Sequence, residues 1–232
     1  MTAPALADVL RHPAIWRGNG RMQHSRNAVK TGYPVLDHAL PGGGWEPASM
    51  AEILVAKGAA SGELSLLWPA LQDIGRSREL VLVAPPCIPY APAWQQAGIN
   101  LARLVWVRPA TAADTLWAME QALREPACGA VLGWVAGVLD DRSCRRLQLA
   151  AKAGGGCGFL LRPPQRDLSS PLPLRIEVQA APQGWCIHVR KRRGLPLTEP
   201  LFLSRSEVHH ALAGHRHPDP APARLSAPHR GG

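Results

Sequence analysis

Short apolar runs alternate along this chain with amphipathic stretches, and the pattern changes near residue 174. Strands are predicted at 50–55 (MAEILV), 80–84 (LVLVA), 104–107 (LVWV), 130–135 (AVLGWV) and 158–162 (GFLLR), and LVLVA is apolar on successive residues, as a strand covered on both faces of a parallel sheet requires. Helical spacing separates them. A helix is predicted from Glu63 to Gly75, with Pro69 expected to kink or restart it, and another over 91–97. Thr111 and Asp114 form a capping pair ahead of TLWAMEQALR, where Leu116, Met119 and Leu123 share a face. Asp140 caps a helix over 141–153, which Gly154, Gly155 and Gly156 end. Strands and helices alternating at this spacing imply βαβ units and a mainly parallel sheet.

Beyond 174 the period becomes two. Leu174, Ile176 and Val178 alternate with polar neighbours, as do Trp185, Ile187 and Val189, so a half-exposed antiparallel hairpin is expected to close one sheet edge. Upstream, a short helix around 35–40 runs into Pro41 and a turn that Gly42, Gly43 and Gly44 permit. The organisation read from this is an N-terminal helix and basic arm over 1–30, an α/β domain over 31–203, and a flexible tail rich in Pro, His and Arg over 204–232, expected to be disordered.

Charge changes this picture at the ends. The formal net charge is +9, yet residues 31–185 hold thirteen basic and thirteen acidic side chains, so the whole excess lies in the flanks. A basic excess at the periphery points to an acidic partner, nucleic acid or protein, or serves only solubility. With no apolar run near the roughly eighteen residues of a membrane span and no signal-peptide pattern, a cytoplasmic, nucleoid-associated protein without membrane contact is expected. Cys87, Cys128, Cys144, Cys157 and Cys186 are odd in number and lack a C-x-x-C pair, which argues against a disulfide framework or zinc site and for reduced, mostly buried thiols.

The stretch SMAEILVAKGAASGELSLL has the layout of a phosphate-binding loop between strand and helix. Against G-x-x-x-x-G-K-[ST], Gly62 keeps the second glycine, but Lys57 stands for the first, Glu63 for the lysine and Leu64 for the hydroxyl residue. Neither Glu63 nor Leu64 can hold phosphate or magnesium. The strand that should carry a magnesium-binding aspartate offers Gly133 or Trp134, and APPCIPYAP supplies no carboxylate to orient a water. No catalytic residue, cofactor or metal is therefore assigned. His209, His210, His215 and His217 lack a scaffold to fix a metal geometry. Ser61 lacks a nucleophile-elbow pattern and a base. Arg142, Arg145, Arg146 and Lys152 make a basic helix face, read as solvated. Trp106, Trp117 and Trp134 sit in apolar runs and are expected in the core rather than as stacking platforms for single-stranded DNA.

TGYPVLDHALPGGGW, MAEILVAKGAASGELSLL and the segment through LARLVWVRP together resemble the N-terminal half of a RecA-type recombinase core. AVLGWVAGVLDDRSCRRLQLAAKAGGGCGFLLRPP resembles the SulA cell-division inhibitors. Both, followed by a hairpin and KRRG, are most similar to the ImuA family, over about residues 30–195. That resemblance implies a degenerate RecA-like fold acting as a non-catalytic adaptor in damage-induced error-prone translesion synthesis. The implied partners are an ImuB-like inactive Y-family polymerase, RecA and, indirectly, an error-prone replicative-type polymerase. Arg190, Lys191, Arg192 and Arg193, with Leu201 and Phe202, are the expected docking residues for a partner or for DNA at the basic ends. They are read as belonging to a detachable element, 190–232. Two alternatives remain: a SulA-type inhibitor that caps a tubulin-like division protein, which the arm, hairpin and tail disfavour, and a residual DNA-dependent ATPase.

Overall fold

The computed structural model describes residues 27–55, 63–137, 139–164 and 170–207. In chain order the elements are α1 (Pro34–Ala39), β1 (Ser49–Val55), α2 (Glu63–Gly75), β2 (Glu79–Val83), α3 (Ala91–Gln96), β3 (Leu104–Val107), α4 (Ala112–Arg124) and β4 (Cys128–Trp134). They continue as α5 (Asp141–Gly154), β5 (Cys157–Arg162), β6 (Leu174–Ala181), β7 (Gly184–Lys191) and β8 (Leu201–Ser204). All eight strands form one sheet in the order β3-β2-β4-β5-β1-β6-β7-β8. Pairing is parallel from β3 across to β6 and antiparallel among β6, β7 and β8. The result is a mixed α/β fold. Most of the expected N-terminal arm, the loop over 56–62 and most of the tail lie outside the described residues.

Both faces of β1, β2, β4 and β5 are buried, which explains their largely apolar runs. On one face Ile53, Phe159, Leu161, Ile176 and Leu132 pack with Leu36 of α1, Leu67 and Leu71 of α2 and Trp94 of α3. On the other, Val81, Val131 and Leu160 meet Met119 and Leu123 of α4 and Leu147 of α5. The helix boundaries follow local chemistry. Thr111 Oγ1 accepts from the Asp114 N–H, and Asp114 returns to the Thr111 N–H, completing the expected capping box. Asp140 accepts from the Ser143 N–H at 2.9 Å, and Gly155 ends α5 in the left-handed region at φ 73°.

Three expectations are corrected. The helix α2 continues through Pro69, and a side chain from outside the helix deals with the carbonyl that proline orphans. Pro69 has no N–H for the Ser65 carbonyl four residues back, and the Tyr33 hydroxyl donates to that oxygen at 2.7 Å. Second, β7 is not the sheet edge: β8 pairs outside it, and Leu203 of β8 is fully buried in the core. The segment 190–232 is therefore not wholly detachable. Third, Trp106 and Trp117 are 38% and 61% exposed. Trp106 lies on the edge strand β3 and Trp117 on the outer side of α4, where apolar sequence neighbours do not imply burial.

At the amino ends of the strands, Arg78 ties several elements together. Its Nη2 donates to the carbonyls of Pro126, Cys128 and Gly154 at 2.7, 2.7 and 3.1 Å. Its Nε reaches Pro126 at 3.1 Å and Nη1 reaches Gly155 at 3.2 Å. A cation here also opposes the negative end of the α5 dipole. Arg78→Ala should lower the unfolding free energy in urea by about 2–3 kcal/mol, since several carbonyls lose a charged donor at once, and Arg78→Lys should recover only part of it. Leu203→Ala should cost about 2–4 kcal/mol by the same measurement. A chain ended before Leu201 should melt lower than the full chain.

Candidate protein-binding surfaces and the degenerate phosphate site

The carboxyl ends of the parallel strands are where α/β proteins hold ligands, and of the four loop positions read from the sequence only Glu63 and Leu64 are among the described residues. Lys57 and Gly62 fall outside the described residues. Glu63 and Leu64 open α2, Glu63 as the acidic first-turn residue and Leu64 packed against the core. The position where a magnesium-binding aspartate was sought is filled for packing. A Cβ at Gly133 would overlap the Met119 thioether, so a side chain there would force Met119 to move. Trp134 is partly buried against the opposite core.

Below this edge lies an ionic group that the apolar reading of 50–55 passed over. Glu52 is completely buried in β1. Arg162 Nη1 of β5 stands 3.4 Å from its Oε1, and Arg175 Nε of β6 stands 3.0 Å from its Oε2. Arg162 Nη2 also donates to the Gly137 carbonyl at 2.8 Å, so three adjacent strands and the loop after β4 meet at one carboxylate. The signal available in the sequence was the acid itself, since a charge inside a doubly covered strand must be paired. Burial, reinforced by Glu52, pushes the nearby Cys144 thiol up to about 11. Burial also pushes Cys157 up to about 12. Both act as small packing groups; Cys87 is exposed.

The expected docking run is occupied within the fold. Arg190 pairs with Glu177 at 2.8 Å, Lys191 donates to the Ser170 carbonyl, and Arg192 donates to the carbonyls of Ala39 and Leu195. Arg193 spans both oxygens of Glu46 at 2.8 and 3.1 Å. These contacts lock the end of β7 onto α1 and the approach to β1. Of the two apolar candidates, Leu201 packs partly buried against the core and Phe202 is 49% exposed. The structure does not bring the six into one projecting element.

Exposed apolar side chains gather elsewhere. Ile88 and Tyr90, in the loop after β2, are 74% and 70% exposed, and Trp106 stands on neighbouring β3. Trp117 on α4 and Leu149 on α5 are exposed as well. On the same two helices, Arg146 and Arg124 both hold the nearly buried Glu120, and Arg142, Arg145 and Lys152 remain exposed. Among the described residues no group of His, Cys, Asp and Glu is arranged for a metal, and no helix is long and apolar enough to cross a membrane. Next to Arg193 there is a cavity lined by Trp45, Cys157 and Phe159, with room for about one water molecule.

Residues 50–158 match the family model of the cell division inhibitor SulA. SulA of Klebsiella aerogenes is 28% identical over 148 residues, which cover 63% of this chain and 83% of that protein. SulA of Yersinia enterocolitica is 35% identical over 99 residues, covering 42% of this chain and 58% of that protein. SulA of Serratia proteamaculans is 33% identical over 107 residues, covering 46% and 62%. The crystal structure of SulA from Pseudomonas aeruginosa is 28% identical, with 51% of this chain and all of that chain covered, at a TM-score of 0.42. The chain thus spans about three fifths of the Yersinia and Serratia relatives. These relatives carry the SulA name and not that of ImuA, and being named inhibitors of cell division they overturn the expected adaptor role in translesion synthesis. The alternative weighed against it is the better supported.

The matched range includes Glu52 but ends before both of its arginines. Replacing Glu52 by Ala, which leaves two buried guanidinium groups facing each other, should destabilise the chain by about 3–5 kcal/mol in chemical denaturation.

Proposed function

We propose that this chain, similar to the SulA inhibitors across residues 50–158, inhibits cell division by binding a tubulin-like division protein and blocking its assembly. The observation that carries this reading is the SulA match itself, which takes in β1 to β4 and α2 to α5 as one continuous stretch. The action is stoichiometric and non-catalytic: Glu63, Leu64 and Gly133 replace the groups that would hold phosphate and magnesium. We further infer a RecA-type ancestry for the parallel sheet, with its nucleotide chemistry lost. The hairpin that seemed to disfavour a SulA-type role lies beyond the matched range and pairs with β1 from the outside. It extends the matched unit without interrupting it.

Filament assembly of a purified tubulin-like division protein, followed by light scattering and pelleting, tests the proposal. Inhibition should rise with the molar ratio of this chain, approach completion near equimolar amounts, and be unchanged by ATP and magnesium. Normal assembly in an excess of the chain would overturn the reading, and inhibition only with ATP would overturn its non-catalytic part.

A further inference from the structure

We propose that the loop over 84–90 and the carboxyl end of β3 form the docking patch for this partner, and that the partner meets it with an apolar recess bordered by carboxylates. The inference rests on the inhibitor reading above and deepens it. Ile88 and Tyr90 are the two most exposed large apolar side chains among the described residues, at 74% and 70%. Exposed singly, either would be unremarked. Two residues apart, on a loop built to hold them, they form a pair of anchors, and tyrosine is among the residues that dominate protein interfaces.

The loop is held before any partner arrives. Pro85, Pro86 and Pro89 fix three of its φ angles, and Pro92 sits in the first turn of α3. The chain enters it through Ala84, whose φ of 54° is unusual for a residue with a Cβ. The Ala84 N–H donates to the Val107 carbonyl at 3.1 Å, so this turn is tied to β3. A loop so constrained loses little freedom on binding, and more of the contact energy appears as affinity.

The same hydrogen bond places Arg108, the next residue after β3, beside the loop's origin. Its guanidinium lies 5.3 Å from the centre of the Trp106 ring. From Leu80 to Ala113 the chain contains no Asp, Glu or Lys and only two arginines. Arg103, at the other end of β3, is paired with Glu79 at 3.1 Å. Arg108 is thus the charge that this stretch brings to the patch, and it fits a carboxylate rim on the partner. One guanidinium does not make a track for a phosphate backbone, which needs several cations in register. The surface fits a protein and not a nucleic acid.

The test measures binding of the full chain to the purified tubulin-like division protein, with unaltered chain, Ile88→Ala with Tyr90→Ala, Ile88→Glu, Arg108→Glu, and Trp117→Ala with Leu149→Ala. The alanine pair should bind at least about tenfold more weakly, and Ile88→Glu should do the same by opposing the carboxylate rim. Arg108→Glu should slow association and reduce its salt dependence. All should melt with the unaltered chain, because the side chains changed at the patch are largely solvated. Unchanged affinity in the first three variants, with loss in the Trp117 and Leu149 pair, would overturn the patch alone. No binding by the unaltered chain would overturn the patch and the inhibitor reading together.

Discussion

Arg78 is the constraint on which the amino-terminal side of the sheet depends. The start of β4, the turn before it and the carboxyl end of α5 all bring peptide carbonyls to one place, and clustered acceptors need a shared donor to stay together. A guanidinium supplies five N–H groups in one plane. Around it the chain is narrowed to glycine. A Cβ at Gly154 would overlap the Leu123 carbonyl, and one at Gly156 would run into the Cys128 carbonyl. The crossing of α5 on α4 and the placement of β5 beside β4 follow from that closeness. With the amino ends fixed, the opposite ends of the strands can carry loops under little structural demand.

Glu52 does the corresponding work near the middle of the sheet. A buried carboxylate between two arginines is a weak source of net stability, because desolvation offsets most of the attraction. It is a strong determinant of neighbours: only a β5 and a β6 that deliver Arg162 and Arg175 to it are tolerated. This explains why β6, β7 and β8 belong to the fold. They cover what would otherwise be the exposed edge of β1, and edge strands invite unwanted pairing. The basic run that follows β7 is then used to fasten the extension to Ala39 and Glu46.

An inhibitor that works by occupancy needs a rigid surface and no reaction coordinate. On the inhibitor reading, the strand and helix that would frame a phosphate site need only pack, as Gly133 does against Met119 and Leu64 against the core. The loop after β2 displays Ile88 and Tyr90.

Local pattern was enough for most of the elements, with β8 the exception. The runs at 80–84 and 104–107, the Thr111 and Asp114 box and the Asp140 cap each depend on residues within one turn or one strand, so they were legible without the fold, as was the absence of lysine and hydroxyl at 63 and 64. What the pattern misjudged depended on partners far away in sequence. Pro69 does not break its helix because Tyr33, thirty-six positions earlier, satisfies the freed carbonyl. Arg190 to Arg193 looked like a projecting basic run because Glu46, Ala39, Glu177 and Ser170 are distant along the chain. Trp106 looked internal because a strand's apolar composition does not say whether it lies at the centre of the sheet or at its edge. Strand order and long-range ion pairing are properties of the packed sheet, and they decide which of the legible residues are buried, spent or left to meet a partner.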